Sequence, residues 1–172
     1  MKTDFNKLLF RTAFCCMTCD GHIDEKEIEE IRLMDKNTTY FGDMDVSKAL
    51  DKGIKDLGQH GHQVIEKLFS DLRETSLNMV QELLILEVTF RIIYADQKVD
   101  ENELRFLKLL RGRLELHDEI IIERFGKDVL LFDKEYTDEV VVDEKKYLSR
   151  FKVPDLMDMG EIDIKNIKDT TD

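Results

Sequence analysis

The chain has 172 residues, 42% of them hydrophobic and 37% charged, with a formal net charge of -12 at pH 7. That length supports one domain with a real core, and eight Gly with a single Pro speak against an all-β or loop-rich protein. A surface this acidic repels nucleic acid and anionic lipid, which sets both aside as main partners and leaves a basic protein partner or a cation as compatible ligands.

Asp4, Lys7 and Arg11 interrupt any apolar run at the start, so no secretory leader is expected there. No other stretch is long and apolar enough to span a bilayer, so no direct membrane insertion is expected. The expected location is the cytoplasm, where Cys15, Cys16 and Cys19 stay reduced thiols.

Helical spacing runs through most of the chain. A first helix is predicted over residues 4–20, with Phe5, Leu8, Leu9, Ala13, Cys16 and Met17 on its apolar side. After a tight turn at 21–23, Asp24 N-caps a second helix, and Glu27 three residues later completes a capping box. Ile28, Ile31 and Met34 give that helix its inner face, with Glu25, Glu29, Glu30 and Arg32 toward water. Residues 37–45 read as a loop, 47–58 as a third helix, and 62–74 as a fourth with Val64, Ile65, Leu68, Phe69 and Leu72 inward.

The stretch 77–96, LNMVQELLILEVTFRIIYAD, is apolar on almost every side. It reads as the central helix of the bundle, capped by Ser76 and stopped after Asp96. Asn78, Gln81, Glu82 and Thr89 form a narrow polar stripe, and Glu87 can pair with Arg91 one turn on. Asp100 caps a sixth helix, again with Glu103 three residues later, and Leu104, Leu107, Leu110 and Leu114 point inward. A short seventh helix, 117–125, is closed by Gly126.

The expected division is a helical domain over 1–126 and an acidic extension over 127–172. The extension carries 8 basic and 13 acidic residues and the one proline, Pro154. Val140, Val141 and Val142 form a β-prone run that could pair with residues 130–132, so mixed or irregular structure is expected. Tyr147, Leu148, Phe151, Leu156 and Ile162 offer apolar surface, which leaves packing on the body, docking on a partner, and fraying all open.

An internal repeat organises the helical part. Residues 14–34 superpose on 90–110 at an offset of 76: Phe14 on Phe90, Asp20 on Asp96, Asp24 on Asp100 and Glu27 on Glu103. Ile23, Ile28, Ile31 and Met34 meet Val99, Leu104, Leu107 and Leu110. Each copy is helix, acidic turn, helix, and the two corners are expected in equivalent environments about a pseudo-twofold axis.

At these residues, CDGHIDEKEIEEI and YADQKVDENELRFLKLL, the chain resembles the TerB-like family and its paired "ADG-x-I-x-x-x-E" turns. That family takes in tellurite-resistance proteins and the N-terminal domains of DjlA co-chaperones. RLELHDE at 113–119 resembles the family's "LGLS-x-x-E". The resemblance covers 1–126 and not the extension. It implies an all-α, seven-helix bundle, a role in tellurite and other stress resistance, no enzymatic chemistry, and acidic residues suspected of holding a divalent metal. The candidate metal residues on the matching positions are Asp20, Asp24, Glu27, Asp96, Asp100 and Glu103. Cys19 and Gln97 depart from the family's Ala and Gly, and His22 and Lys98 put basic character beside the acidic turns.

Residues 20–27 resemble the second half of an EF-hand loop. The first and third ligand positions, however, hold Cys16 and Thr18 in one copy and Ile92 and Tyr94 in the other, which excludes that motif. A hard cation needs several converging oxygens; without them the Asp residues serve as caps and turn-formers.

Cys16 and Cys19 form a C-x-x-C at a helix C-terminus, where the dipole does not favour the thiolate. With no second pair to complete a zinc site, they read as buried small hydrophobes. His60, His62 and His117 read as surface histidines, since no nucleophile or Glu-x-x-His pair accompanies them.

The expected function is a non-enzymatic, cytoplasmic stress-response module that binds protein partners, with caps and turns the leading role of its acidic residues and a divalent cation at them the lesser reading. The alternatives are a structural adaptor without metal, and a small metal-dependent hydrolase. The oligomeric state is not legible.

Overall fold

The computed structural model describes residues 4–95 and 99–127. Expectations that fall on 96–98 (Asp96, Gln97, Lys98) and on the extension from 128 onward, including the Val140–Val142 pairing, lie outside the described residues. The described chain is all-α, with seven helices: α1 Phe5–Thr18, α2 Glu25–Asn37, α3 Val46–His60, α4 Gln63–Glu74, α5 Met79–Tyr94, α6 Glu101–Arg111 and α7 Asp118–Phe125.

The helix ends follow from their caps. Asp4 accepts from the Asn6 N–H, Asp24 from Lys26, Asp45 from Lys48 and Asp100 from Asn102. Each satisfies a donor that the first helical turn leaves open. The expected reciprocal boxes at α2 and α6 do not form, because both Asp side chains take the second amide of the turn rather than the third. The complete box occurs instead on α5, between Asn78 and Gln81, so Asn78 rather than Ser76 starts that helix. Two of the four residues in the predicted polar stripe are therefore its cap.

The centre is a pair of helices. α5 packs along α1 more extensively than any other two elements meet, and α1 further touches α2 and α4 while α5 touches α2 and α6. Ten of the fourteen α1 residues are buried against eight of sixteen in α5. The stretch predicted to be central thus shares that position with the first helix. Each Leu, Phe or Met fully withdrawn from water here contributes about 1.5–3 kcal/mol before entropy is counted. Thr12 and Thr89, buried in this pair, satisfy their hydroxyls by donating to the carbonyls of Leu8 and Ile85 at 2.8 Å.

Polar side chains of α5 hold the end of the bundle. Glu82, buried, accepts the Glu115 N–H at 2.9 Å. Glu87 accepts from Arg124 at 2.8 Å and from the Tyr40 hydroxyl. Its expected partner Arg91 stands farther off at 3.9 Å, with its guanidinium 5.6 Å from the Tyr40 ring centre. On α2, Glu29, Glu30 and Arg32 are half-buried rather than facing water.

Candidate functional site

The first acidic turn is shaped by its own backbone. Gly21 takes φ 84°, a conformation that only glycine adopts without cost. Asp20 Oδ1 accepts the His22 N–H at 2.8 Å, an Asx turn of the kind the residue type favours. The chain reverses there and enters α2 one turn later.

The two repeats bring their acidic residues together. Burial first, and the Asp100 carboxylate second, raise the Asp20 pKa against the lowering pull of the His22 amide. The repeat-related glutamates Glu27 and Glu103 are 2% and 1% exposed. Both push up the Cys16 thiol by their charge, after burial itself. Asp20 thus lies within electrostatic reach of Asp100, and Asp20, Glu27 and Glu103 within reach of the Cys16 thiol near the corner at the C-terminal end of α1.

Asp24 caps α2 through the Lys26 N–H at 2.7 Å. Asp100 also caps, at 2.7 Å from the Asn102 N–H. Among the described residues no group of three or more His, Cys, Asp and Glu side chains is disposed to hold a metal. Asp96, the repeat partner of Asp20, lies outside the described residues.

The cysteines are core residues. Cys15, Cys16 and Cys19 are at most 2% exposed, and Cys19 Sγ donates to the Cys16 carbonyl at 3.0 Å. Burial pushes Cys15 up to about 12 and raises Cys19 well above the ordinary thiol range. A thiol so held is neither a nucleophile nor a ready metal ligand.

A second site has no counterpart in the sequence reading. A cleft of about 800 Å³ opens between α1, α3 and α4. Phe10, Phe14, Met44 and Val64 line it with apolar surface, and Lys7, Arg11, Lys52 and Lys67 stand around them against one acidic lining residue, Asp56. Arg11 binds Asp71 at 2.7 Å, and Lys67 lies 3.7 Å from the same carboxylate. Lys7 and Lys52 are exposed.

Gly53 sets the depth of the cleft wall. A Cβ there would meet the Phe14 ring at 2.9 Å. A glycine inside a helix costs about 1 kcal/mol relative to alanine, so its place in α3 was the one legible sign that another group comes close. The histidines separate: His60 lines this cleft, His62 lies 3.7 Å from Glu66, and His117 precedes α7.

No described helix is long and apolar enough to cross a membrane. No protein family, curated protein or solved structure matches the chain.

Proposed function

We propose that this chain is a non-enzymatic binding module for protein partners, and that the α1/α3/α4 cleft is where it takes them. The observation that carries this reading is the charge of the cleft: Lys7, Arg11, Lys52 and Lys67 against Asp56 and the Asp71 that Arg11 and Lys67 share, on a chain whose net charge is -12. An apolar floor with a charged rim is the composition of a peptide groove, where burial gives affinity and rim charge gives orientation. The ligand it suits is an acidic segment with apolar side chains. The resemblance of the two acidic turns to the TerB-like family adds a cytoplasmic stress-response setting to this reading.

The test is chemical-shift mapping with excess ten-residue peptides of equal apolar content and opposite charge. The acidic peptide should shift the amides of Lys7, Arg11, Lys52, Gly53 and Lys67. Raised salt should weaken it, and Lys7→Glu with Lys52→Glu should remove the shifts while leaving the fold intact. Equal shifts from the basic peptide would refute the reading.

A second reading rests on the corner. The resemblance of the acidic turns to the TerB-like family suggests a divalent cation there, and the Asp20 carboxyl, raised by burial and in part by Asp100, is the described group it would act on first. Titrating calcium, magnesium, manganese and zinc by calorimetry after EDTA treatment tests it. Binding lost in Asp20→Asn supports a site at the turns; an absence of heat for all four ions leaves them as caps.

A further inference from the structure

The cleft's chemistry has a complement in the same chain. Residues 155–164, DLMDMGEIDI, hold four carboxylates, no cation and five apolar side chains: Leu156, Met157, Met159, Ile162 and Ile164. We infer that this segment of the acidic extension docks in the α1/α3/α4 cleft of its own chain, so that a partner binds by displacing it. The inference rests on the cleft being a peptide-binding surface.

Three considerations carry it. The first is charge: Asp155, Asp158, Glu161 and Asp163 match a rim of Lys7, Arg11, Lys52 and Lys67, of which Lys7 and Lys52 have no ion-pair partner among the described residues. The apolar side chains of the segment in turn fit a floor of Phe10, Phe14, Met44 and Val64. The second is reach. Twenty-seven residues separate Lys127 from Asp155, an extended span of roughly 90 Å at about 3.3 Å each. A compact body of this size has a radius of gyration of roughly 14 Å, so every part of its surface is within range. The third is concentration: a tethered ligand sees its site at an effective concentration on the order of millimolar, which fills even a weak groove.

Zero-length carbodiimide cross-linking of the full chain, read by mass spectrometry, tests this. Lysines Lys7 and Lys52 should join Asp158, Glu161 or Asp163, with yields independent of protein concentration. The Lys67–Asp71 pair, at 3.7 Å, serves as the internal control. Lys7→Glu with Lys52→Glu removes two of the coupling amines, so its effect is read at Lys67, whose cross-links to the segment should fall about fivefold, as two surface charge contacts of about 0.5 kcal/mol each imply. Adding Asp158→Lys with Glu161→Lys should restore protection of the segment against limited chymotrypsin.

Cross-links that appear only at high protein concentration would overturn the inference, as would cleavage at the same rate in the original and charge-reversed chains. A free peptide of residues 155–164 separates this failure from that of the cleft itself. In the full chain carrying Leu156→Ser and Ile162→Ser, uptake of the peptide at Lys7 and Lys52, with no internal cross-links in the original chain, leaves the cleft reading standing and removes the inference. No uptake by that variant removes both.

Discussion

The corner and the cleft are two charged regions of opposite sign, and they were visible to different degrees. The corner is acidic and local: Asp20, Gly21 and Asp24 follow one another in sequence, and the second copy repeats the pattern 76 residues on. The cleft is basic and assembled from three helices that no short motif connects. The acidic residues advertised in sequence are partly consumed by the fold, as caps and buried groups. The basic ones, unremarkable in sequence, gather where surface is left open. Here the acidic cluster in the sequence marks helix ends and buried positions, while the basic one is assembled only by the fold.

Thiol chemistry gives the sharpest test of this contrast. Cys15 lines the cleft, whereas Cys16 and Cys19 belong to the corner. With Cys15 at about 12 against an ordinary 9.0, its thiolate fraction near pH 8, and with it the rate of reaction with a disulfide reagent, should fall by about a thousandfold relative to the urea-unfolded chain. All three cysteines should react slowly in the native protein. Fast labelling of Cys15 alone would show that the cleft opens through its floor.

Next in size is Gly53→Ala. Helix propensity alone favours alanine by about 1 kcal/mol, but the new methyl meets the buried Phe14 ring at 2.9 Å, and overpacking of this kind costs about 1–3 kcal/mol. The variant should lose about 1 kcal/mol in a urea titration, and adding Phe14→Leu should recover part of it. A stabilised single variant would mean that the ring swings aside freely and the cleft wall is soft.

The smallest effect belongs to the corner. The pKa of Asp20 is raised in the folded chain by burial and by Asp100, so the folded state holds the proton more tightly than the unfolded state does. Stability is therefore lost as pH rises from the ordinary carboxylate range, near 3.8, through the folded value, and the loss persists at neutral pH. Asn at this position keeps an oxygen for the His22 amide and carries no charge. Asp20→Asn should flatten that part of the pH profile and raise neutral-pH stability by no more than about 1 kcal/mol, because the site is half-open and screened. A fall in stability would mean that the carboxylate itself is needed there.

Much of the fold was legible because helix periodicity and caps are local. Ile28, Ile31 and Met34, or Leu104, Leu107 and Leu110, are buried as their spacing requires. What was missed depends on distance in sequence. Glu27 and Glu103 looked like capping-box partners, and only packing of α1 and its neighbours shows them buried beside Cys16. Glu87 had an obvious partner one turn away in Arg91, yet its closest cation is Arg124, 37 residues on. Lys7 and Lys52 become neighbours across a cleft only once α1 and α3 are placed, and no periodicity encodes that.

The grip of α5 on the end of the bundle has a mechanical meaning. α7 has eight residues, of which only Ile121 is fully buried, too short to persist as a helix in water by itself. It is kept by contacts to two helices: on α5, Glu82 to the backbone at Glu115, Glu87 to Arg124 and Phe90 to Phe125; on α6, Arg111 to the Leu116 carbonyl and to Asp118. A pull at residue 127 is thus shared between α5, half of the central pair, and α6. The short last helix is therefore a riveted plate: no single contact releases it, and the point from which residues 128 onward depart stays fixed to the bundle until both helices let go.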